Sequence, residues 1–420
     1  MELKPGYKST ELGLLPENWN VVPLGSIGEA LIGLTYKPTD VARYGTLVLR
    51  SSNIQNGVLS FDDNVYVTCD VPDRIMVQPG DVLVCVRNGS RPLIGKTALL
   101  DERAGGMTFG AFMAVFRSNC GSFINYLFKS HLLKRQINEH LGATINQITN
   151  RSLKSFVVPM PPDADEVKQI TGALSDVDAL LDGLGRLIAK KRDIKQATMQ
   201  RLLTGKTRLP GFSAAWDDVQ LRSISSSESG GTPPISNPQF FGGGIPWVSI
   251  ADMTGVGKCV AFTERTLSHA GLATSAAKMW PTGTILYAMY ASLGECAIAA
   301  CQLCSSQAIL GIQPHAGVDR DYLYYQLVSR KVRVRQTAQH GTQPNLNADM
   351  VRSFDIPLPP LDEQQAIAAE LADMDAEIDA LERRRAKTHD LKIAMMQELL
   401  TGKTRLVSKP ERRKPALATP

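Results

Sequence analysis

The sequence is marked first by what it does not contain. No run of about 18 apolar residues occurs, so no membrane-spanning helix is expected. The opening MELKPGYKSTELG has no apolar signal core, which makes the cytoplasm the expected compartment. Cysteine is scarce: seven in 420 residues, an odd number in a long chain, argue against a disulfide framework. The six histidines are scattered, and no nucleophile–base–acid set can be assembled around them. The net charge of +5 is small, compatible with nucleic acid without demanding it.

Motifs that resemble catalytic loops break down at their spacing. GSRPLIGKT (89–97) places five residues between Gly89 and Gly95, where a phosphate loop requires four. TGKT at 204–207 and 401–404 has Gln200 and Gln397 where the upstream glycine belongs. NPQF (237–240) resembles the Asn-Pro-Pro-Phe motif of amino-methyltransferases with Gln239 in place of the second proline, and no cofactor loop precedes it, so it reads as a turn. Cys301-x-x-Cys304, with Cys296 nearby, has a metal-like spacing but no second pair and only His315 close by; strand thiols are the expected reading. The chain is expected to carry no catalytic residues, no metal and no cofactor of its own.

What is present is a duplication. TMQRLLTGKTRL (198–209) and MMQELLTGKTRL (395–406) agree at ten of twelve positions, 197 residues apart. KSFVVPMPP (154–162) returns as RSFDIPLPP (352–360), and Trp19, Val22 and Leu24 return as Trp216, Val219 and Leu221. A period near 200 is far longer than the roughly 20–50 residues of a solenoid repeat. It predicts two similar domains, each followed by a similar connector, with an approximate two-fold.

Each connector reads as one long helix without proline. Ile170, Leu174, Val177, Leu181, Leu184 and Ile188 alternate by four and three, as do Ile367, Leu371, Met374, Ile378 and Leu381, the a/d seam of a coiled coil. Both seams continue, through Ile194, Thr198 and Leu202 or Leu391, Met395 and Leu399, to a Thr-Gly stop. A helix from 165 to 204 would span ~60 Å at 1.5 Å per residue. Six acids lie in 163–182 and eight bases in 186–208; the second helix has eight acids in 361–382 and then Arg383, Arg384, Arg385, Lys387 and Lys392. The helix macrodipole favours acids first and bases last in any helix. A gradient this steep also favours antiparallel pairing, acid beside base. The expected architecture is mixed α+β: a first domain (1–160), a helix (161–209), a second domain (210–358), a helix (359–406) and a disordered basic tail (407–420). Two globular heads at opposite ends of an antiparallel rod would form a caliper, suited to two half-sites on DNA, where one turn is about 34 Å.

The domains read as short strands and polar loops, each closed by a helix, near Ile124–Leu141 and Tyr322–Thr337. Candidate DNA-contacting groups sit at strand ends: Arg50, Ser52 and Asn53 in LRSSN, and Arg87, Asn88, Ser90 and Arg91 in VRNGSR. In the second domain they are Trp247, Ser249 and Asp252 in WVSIAD, and Tyr287, Tyr290 and Ser292 in YAMYASLG. Arginine suits guanine and asparagine suits adenine in the major groove. The bases of the closing helices (Lys129, Lys134, Arg135; Arg330, Lys331, Arg333, Arg335) are solvated or face phosphates.

The twin PMPP/PLPPLDEQ segments, the twin LLTGKTRL ends and the openings GLLPENWNVVPLGSI (13–27) and LPGFSAAWDDVQLRSI (209–224) resemble the specificity subunits of Type I restriction-modification systems. GLTYKP (33–38), with Tyr36 and Lys37, and TLVLRSSNIQNG (46–57) resemble one type of target-recognition domain; GGTPPISNPQFFGGGIPWVSIADM (230–253) and GTQPNLN (341–347) resemble another. The resemblance implies two target-recognition domains that read the halves of a split double-stranded DNA sequence. It implies helices that set the half-site spacing and dock two modification methyltransferase subunits, which carry S-adenosylmethionine. A restriction subunit would add ATP- and Mg-dependent translocation. PMPPDADEVKQI and GATINQI depart from the usual PLPPLxEQ and GTTQPNL. A stand-alone methyltransferase or nuclease with an unrecognised site, and a coiled-coil adaptor without a DNA role, are the alternatives.

Overall fold

A computed structural model describes residues 5–143, 146–254, 257–340 and 345–406. The basic tail and the whole of GTQP (341–344) lie outside the described residues. The chain divides into two compact units, one formed by residues 1–184 with 384–420 and the other by 185–383. The divisions fall in the middle of the long helices rather than at their ends.

In the first unit an antiparallel four-stranded sheet runs in the order Thr97–Leu99, Val82–Cys85, Met113–Arg117, Glu29–Ile32. Its central strands are apolar because both faces are covered, save for Arg117 at the end of one, which pairs with Asp81. Val82, Val84, Ala114 and Phe116 face the helices Gly121–Lys129 and His131–Ala143, whereas Leu83, Cys85, Met113 and Val115 face a second sheet carrying Leu47, Leu49 and Phe109. The closing segment is two helices, not one: Ser130 is extended, and its Oγ donates to Leu127 O and accepts from Leu132 N.

The second unit builds a five-stranded sheet in the order Ser225–Ser229, Ile309–Pro314, Ile285–Ala288, Cys296–Ala299, Cys259–Val260. The same alternation sends Ile285, Tyr287, Cys296 and Ile298 to one core and Leu286, Ala288, Ala297 and Ala299 to another. Its closing segment is also split, into Arg320–Ser329 and Lys331–His340. Among the described residues no metal-type cluster of His, Cys, Asp or Glu occurs, and no helix is long and apolar enough to cross a membrane. Cys296 and Cys304 are buried strand thiols; burial pushes the Cys304 thiol up to about 11.

The repeated sequence blocks make equivalent structure in each unit. VVP and VVPM pair as Asn20–Pro23 with Val157–Met160, and their counterparts pair as Asp217–Gln220 with Asp355–Leu358. The long helices run unbroken over Ala164–Leu202 and Leu361–Leu399. Each ends just before a glycine in the left-handed region, Gly205 at φ +66° and Gly402 at φ +65°, which only glycine adopts without strain.

Inside each unit, the acidic half of one long helix lies against the basic half of the other, antiparallel as expected. In the first unit Ile170 and Leu174 share a core with Met396, Leu399 and Leu400. In the second, Met199, Leu202 and Leu203 pack with Ile367 and Leu371. Leu184, Ile188 and Ile378 are buried; Val177, Leu181, Met374 and Leu381 are half-buried. The extension of the seam is corrected at two equivalent places: Ile194 is 42% and Leu391 55% exposed, so the apolar stripe is interrupted there.

Two polar clamps fasten each helix pair. In the first unit Glu166, fully buried, accepts from the Trp19 indole (3.2 Å) and from the Arg405 guanidinium. In the second, Glu363 accepts from Trp216 (2.9 Å) and from Arg208 at 2.6 Å. The other clamp joins Tyr126 Oη and Lys392 to Asp178, repeated as Tyr325 Oη and Lys195 on Asp375. Both arginines stack beside the tryptophan they share a carboxylate with, 5.8 and 5.2 Å from the ring.

One departure between the copies has a visible consequence. Gln364 accepts from Asp319 N and donates to Gly317 and Pro359 carbonyls, closing the corner between helix and domain. The side chain of its counterpart Val167 offers no hydrogen bond, and an open groove of about 1180 Å³ runs past it.

Burial holds five of the ten tyrosines (Tyr126, Tyr287, Tyr322, Tyr324, Tyr325) well above the usual phenol range. Their folded pKa is raised, so their contribution is complete below pH 10.0, the ordinary value, and falls as pH rises past it, where the unfolded chain releases protons the folded chain keeps. The urea midpoint should therefore drop between about pH 9 and about pH 11, with these phenolates appearing at 295 nm only on unfolding. A flat midpoint over that range would contradict the burial.

Candidate nucleic-acid interface

In the first unit the strand Thr46–Leu49 ends in Arg50-Ser51-Ser52, and the strand Val82–Cys85 runs on into Arg87-Asn88. The Asn88 amide donates to Ser51 Oγ at 3.2 Å, tying the two loops together. They form the wall of a concavity of about 490 Å³, which Tyr36, Arg50, Ser52, Arg87 and Asn88 line together with Asp63 and Phe112. Five of the residues expected from sequence thus share one surface.

Arg50 donates to Asp63 at 2.9 Å, while its Nε is buried without a partner among the described residues, as is Ser52 Oγ. The Arg87 guanidinium lies 5.1 Å from the ring of Phe112, which is 60% exposed. Such stacking fixes the plane of a guanidinium at little entropic cost. The sequence reading missed Asp63 and Phe112; an acid and an aromatic in separate loops carry no signal until the fold brings them beside the arginines.

Other expected contacts are corrected. Asn53 is buried: its Oδ1 accepts from Arg50 N and its Nδ2 donates to Ser60 and Asp63 carbonyls, so it shapes the loop rather than facing a ligand. The Asn88 carbonyl accepts from Ser90 N while its NH₂ holds Ser51, which commits both ends of the amide expected to read adenine. Lys37, Ser90 and Arg91 are exposed but outside the lining.

In the second unit Trp247 is only 6% exposed, with its indole donating to Gly231 O, and Tyr287 is fully buried. Both belong to the core, because the strands Phe241–Val248 and Ile285–Ala288 have a neighbour on each side and these two aromatics point inward. Ser249 N and Oγ donate to Asp252, whose other oxygen accepts from Glu264 N, so this pair caps a turn. Tyr290 remains exposed and Ser292 half-buried, flanking Ala291 at φ +56°, an unusual backbone for alanine. The closing-helix bases also have structural partners: Lys129 donates to Gly57 O, Arg330 to Gln326 and Asp355, and Lys331 pairs with Glu295.

The chain matches the family described as "Type I restriction modification DNA specificity domain" twice, over residues 16–190 and 214–388. It is 27% identical over 428 aligned residues to the putative type I restriction enzyme MjaX specificity subunit of Methanocaldococcus jannaschii, covering 95% of this chain and 97% of that one. It is 28% identical over 206 residues to the EcoKI specificity subunit of Escherichia coli K12, 46% of this chain and 44% of that one. Among solved structures, the S subunit from M. genitalium superposes with a TM-score of 0.56 at 14% identity, over 95% of this chain and 98% of that one. A chain from a study of type I R-M complex assembly superposes with a TM-score of 0.59 at 22% identity, over 93% and 99%. With both repeats matched and the clamps in equivalent places, this chain belongs to the Type I restriction-modification DNA specificity family, whose members are the non-catalytic subunits that supply DNA sequence recognition.

Proposed function

We propose that the chain reads a split, asymmetric DNA target, one half by each domain, and that its long helices set the spacing and dock two modification methyltransferase subunits. Those subunits carry S-adenosylmethionine, and a restriction subunit joining them brings ATP and Mg; the chain itself acts in the cytoplasm without a cofactor. The observation that carries this reading is a shared frame with unshared surfaces. The Trp–Glu–Arg and Tyr–Asp–Lys clamps are the same in both units, whereas the places that Arg50 and Arg87 hold in the first unit are held in the second by Ser249, which caps onto Asp252 as Arg50 N caps onto Asn53, and by the exposed Tyr290. Identical scaffolds with different readers fit two different half-sites.

The test is to map methylated adenines genome-wide with and without this chain. The expected result is one split, asymmetric sequence methylated only when the chain is present. Methylation that persists without it, or a continuous site, would refute the proposal. Binding of the purified chain to that duplex should weaken steeply with salt, as counterion release requires.

A further inference from the structure

We propose that the concavity of the first unit reads one G·C base pair, with Arg50 and Arg87 facing the guanine and Asp63 facing the cytosine; this rests on the DNA-reading function proposed above. Three features of the site point to it. Arg50, Asp63 and Arg87 line one concavity of about 490 Å³, and the Arg50 and Asp63 side chains are part-exposed in its wall. Arg87 makes no ion pair among the described residues and lies over the exposed ring of Phe112. Arg50 and Asp63 stand side by side, 2.9 Å apart, a donor fork next to an acceptor.

That order of donors and acceptors is selective. In the major groove guanine presents N7 and O6 as acceptors, and cytosine beside it presents the N4 amino group as a donor. The paired arginine and aspartate match this sequence of groups. Reversal to C·G sets the amino group against the guanidinium and guanine O6 against the carboxylate. An A·T pair opposes the adenine amino group to arginine and thymine O4 to Asp63. Each mismatch leaves a charged group unpaired, the most effective way to reject a wrong base. Asn88, with its amide committed to Ser51 and Ser90, does not compete for adenine.

The test uses the full chain and duplexes randomised in the first half-site, with the second half-site fixed. Wild type should select G at one position of the first half. Arg50→Ala should lower that preference by roughly 10- to 100-fold while leaving the other positions unchanged. Asp63→Asn keeps the shape of the loop and supplies a donor as well as an acceptor, so it relieves the clash with thymine O4 and should narrow the preference for G·C over A·T without abolishing it, because the adenine amino group still opposes arginine. Thermal unfolding at the wild-type temperature shows that each variant is folded; should Arg50→Ala unfold, Asp63→Asn carries the test. Uniform weakening for all sequences with the G preference intact would mean a phosphate contact and overturn the inference. A wild-type chain that selects a split sequence without G in its first half overturns this inference alone; one that selects no split sequence overturns the DNA-reading function with it.

Discussion

Glu166→Ala should destabilise the first unit by about 3–5 kcal/mol, the usual cost of removing one partner from a buried ion pair. The carboxylate is fully buried and serves two groups, the Trp19 indole and the Arg405 guanidinium. Without it the indole N–H loses its acceptor in an apolar core and the arginine keeps a partly desolvated charge. Urea unfolding followed by tryptophan fluorescence reads the effect. The double variant Glu166→Met, Arg405→Met should recover much of the loss, because neither charge is then stranded. A loss below about 1 kcal/mol for the single variant would place the pair with ordinary surface salt bridges.

The second large effect concerns the DNA. Adding or removing one base pair in the spacer of the target should reduce specific binding by about a thousand-fold or more, down to the non-specific level. One base pair moves the far half-site by about 3.4 Å and turns it by about a tenth of a helical turn. Each long helix runs 39 residues without a proline, and a helix of that kind does not lengthen to follow. Titrating duplexes that differ only in spacer length checks this. Equal affinity across spacer lengths would refute the proposed fixed spacing.

The scaffold was legible because its signals are repeated and local. The a/d spacing of Ile170, Leu174, Ile367 and Leu371 comes from the 3.6-residue turn, and all four are buried. The charge gradient forecast antiparallel packing, which Lys392–Asp178 shows in one unit and Lys191–Glu377 in the other. The clamps were hidden in that same gradient: Glu166 read as one more acid at a helix start, where the macrodipole already accounts for it. Its partner Arg405 lies 239 residues away, beyond any local pattern.

The candidate interface was legible only as loops. LRSSN and VRNGSR stand at strand ends, and the fold brings them together around Arg50 and Arg87. Individual roles were not legible, because the same polar side chains that read DNA also build turns. Asn53 and Asp252 spend their hydrogen bonds on nearby backbone. Tyr287 sits in a strand buried at every position, where alternation gives no warning of an inward aromatic, and Trp247 lies at the buried end of a strand whose glycines are exposed.

The segment that completes the first unit comes after the whole of the second in sequence, and its described part is residues 384–406. During translation, domains ordinarily mature from the N-terminus onward. Here the order is inverted. The half made first waits on the ribosome with the surface around Ile170 and Leu174 uncovered until Met396, Leu399 and Arg405 emerge, whereas every part of the second unit has by then been synthesised. A premature stop codon after residue 383 would therefore cripple the domain encoded at the opposite end of the gene and spare the one beside it.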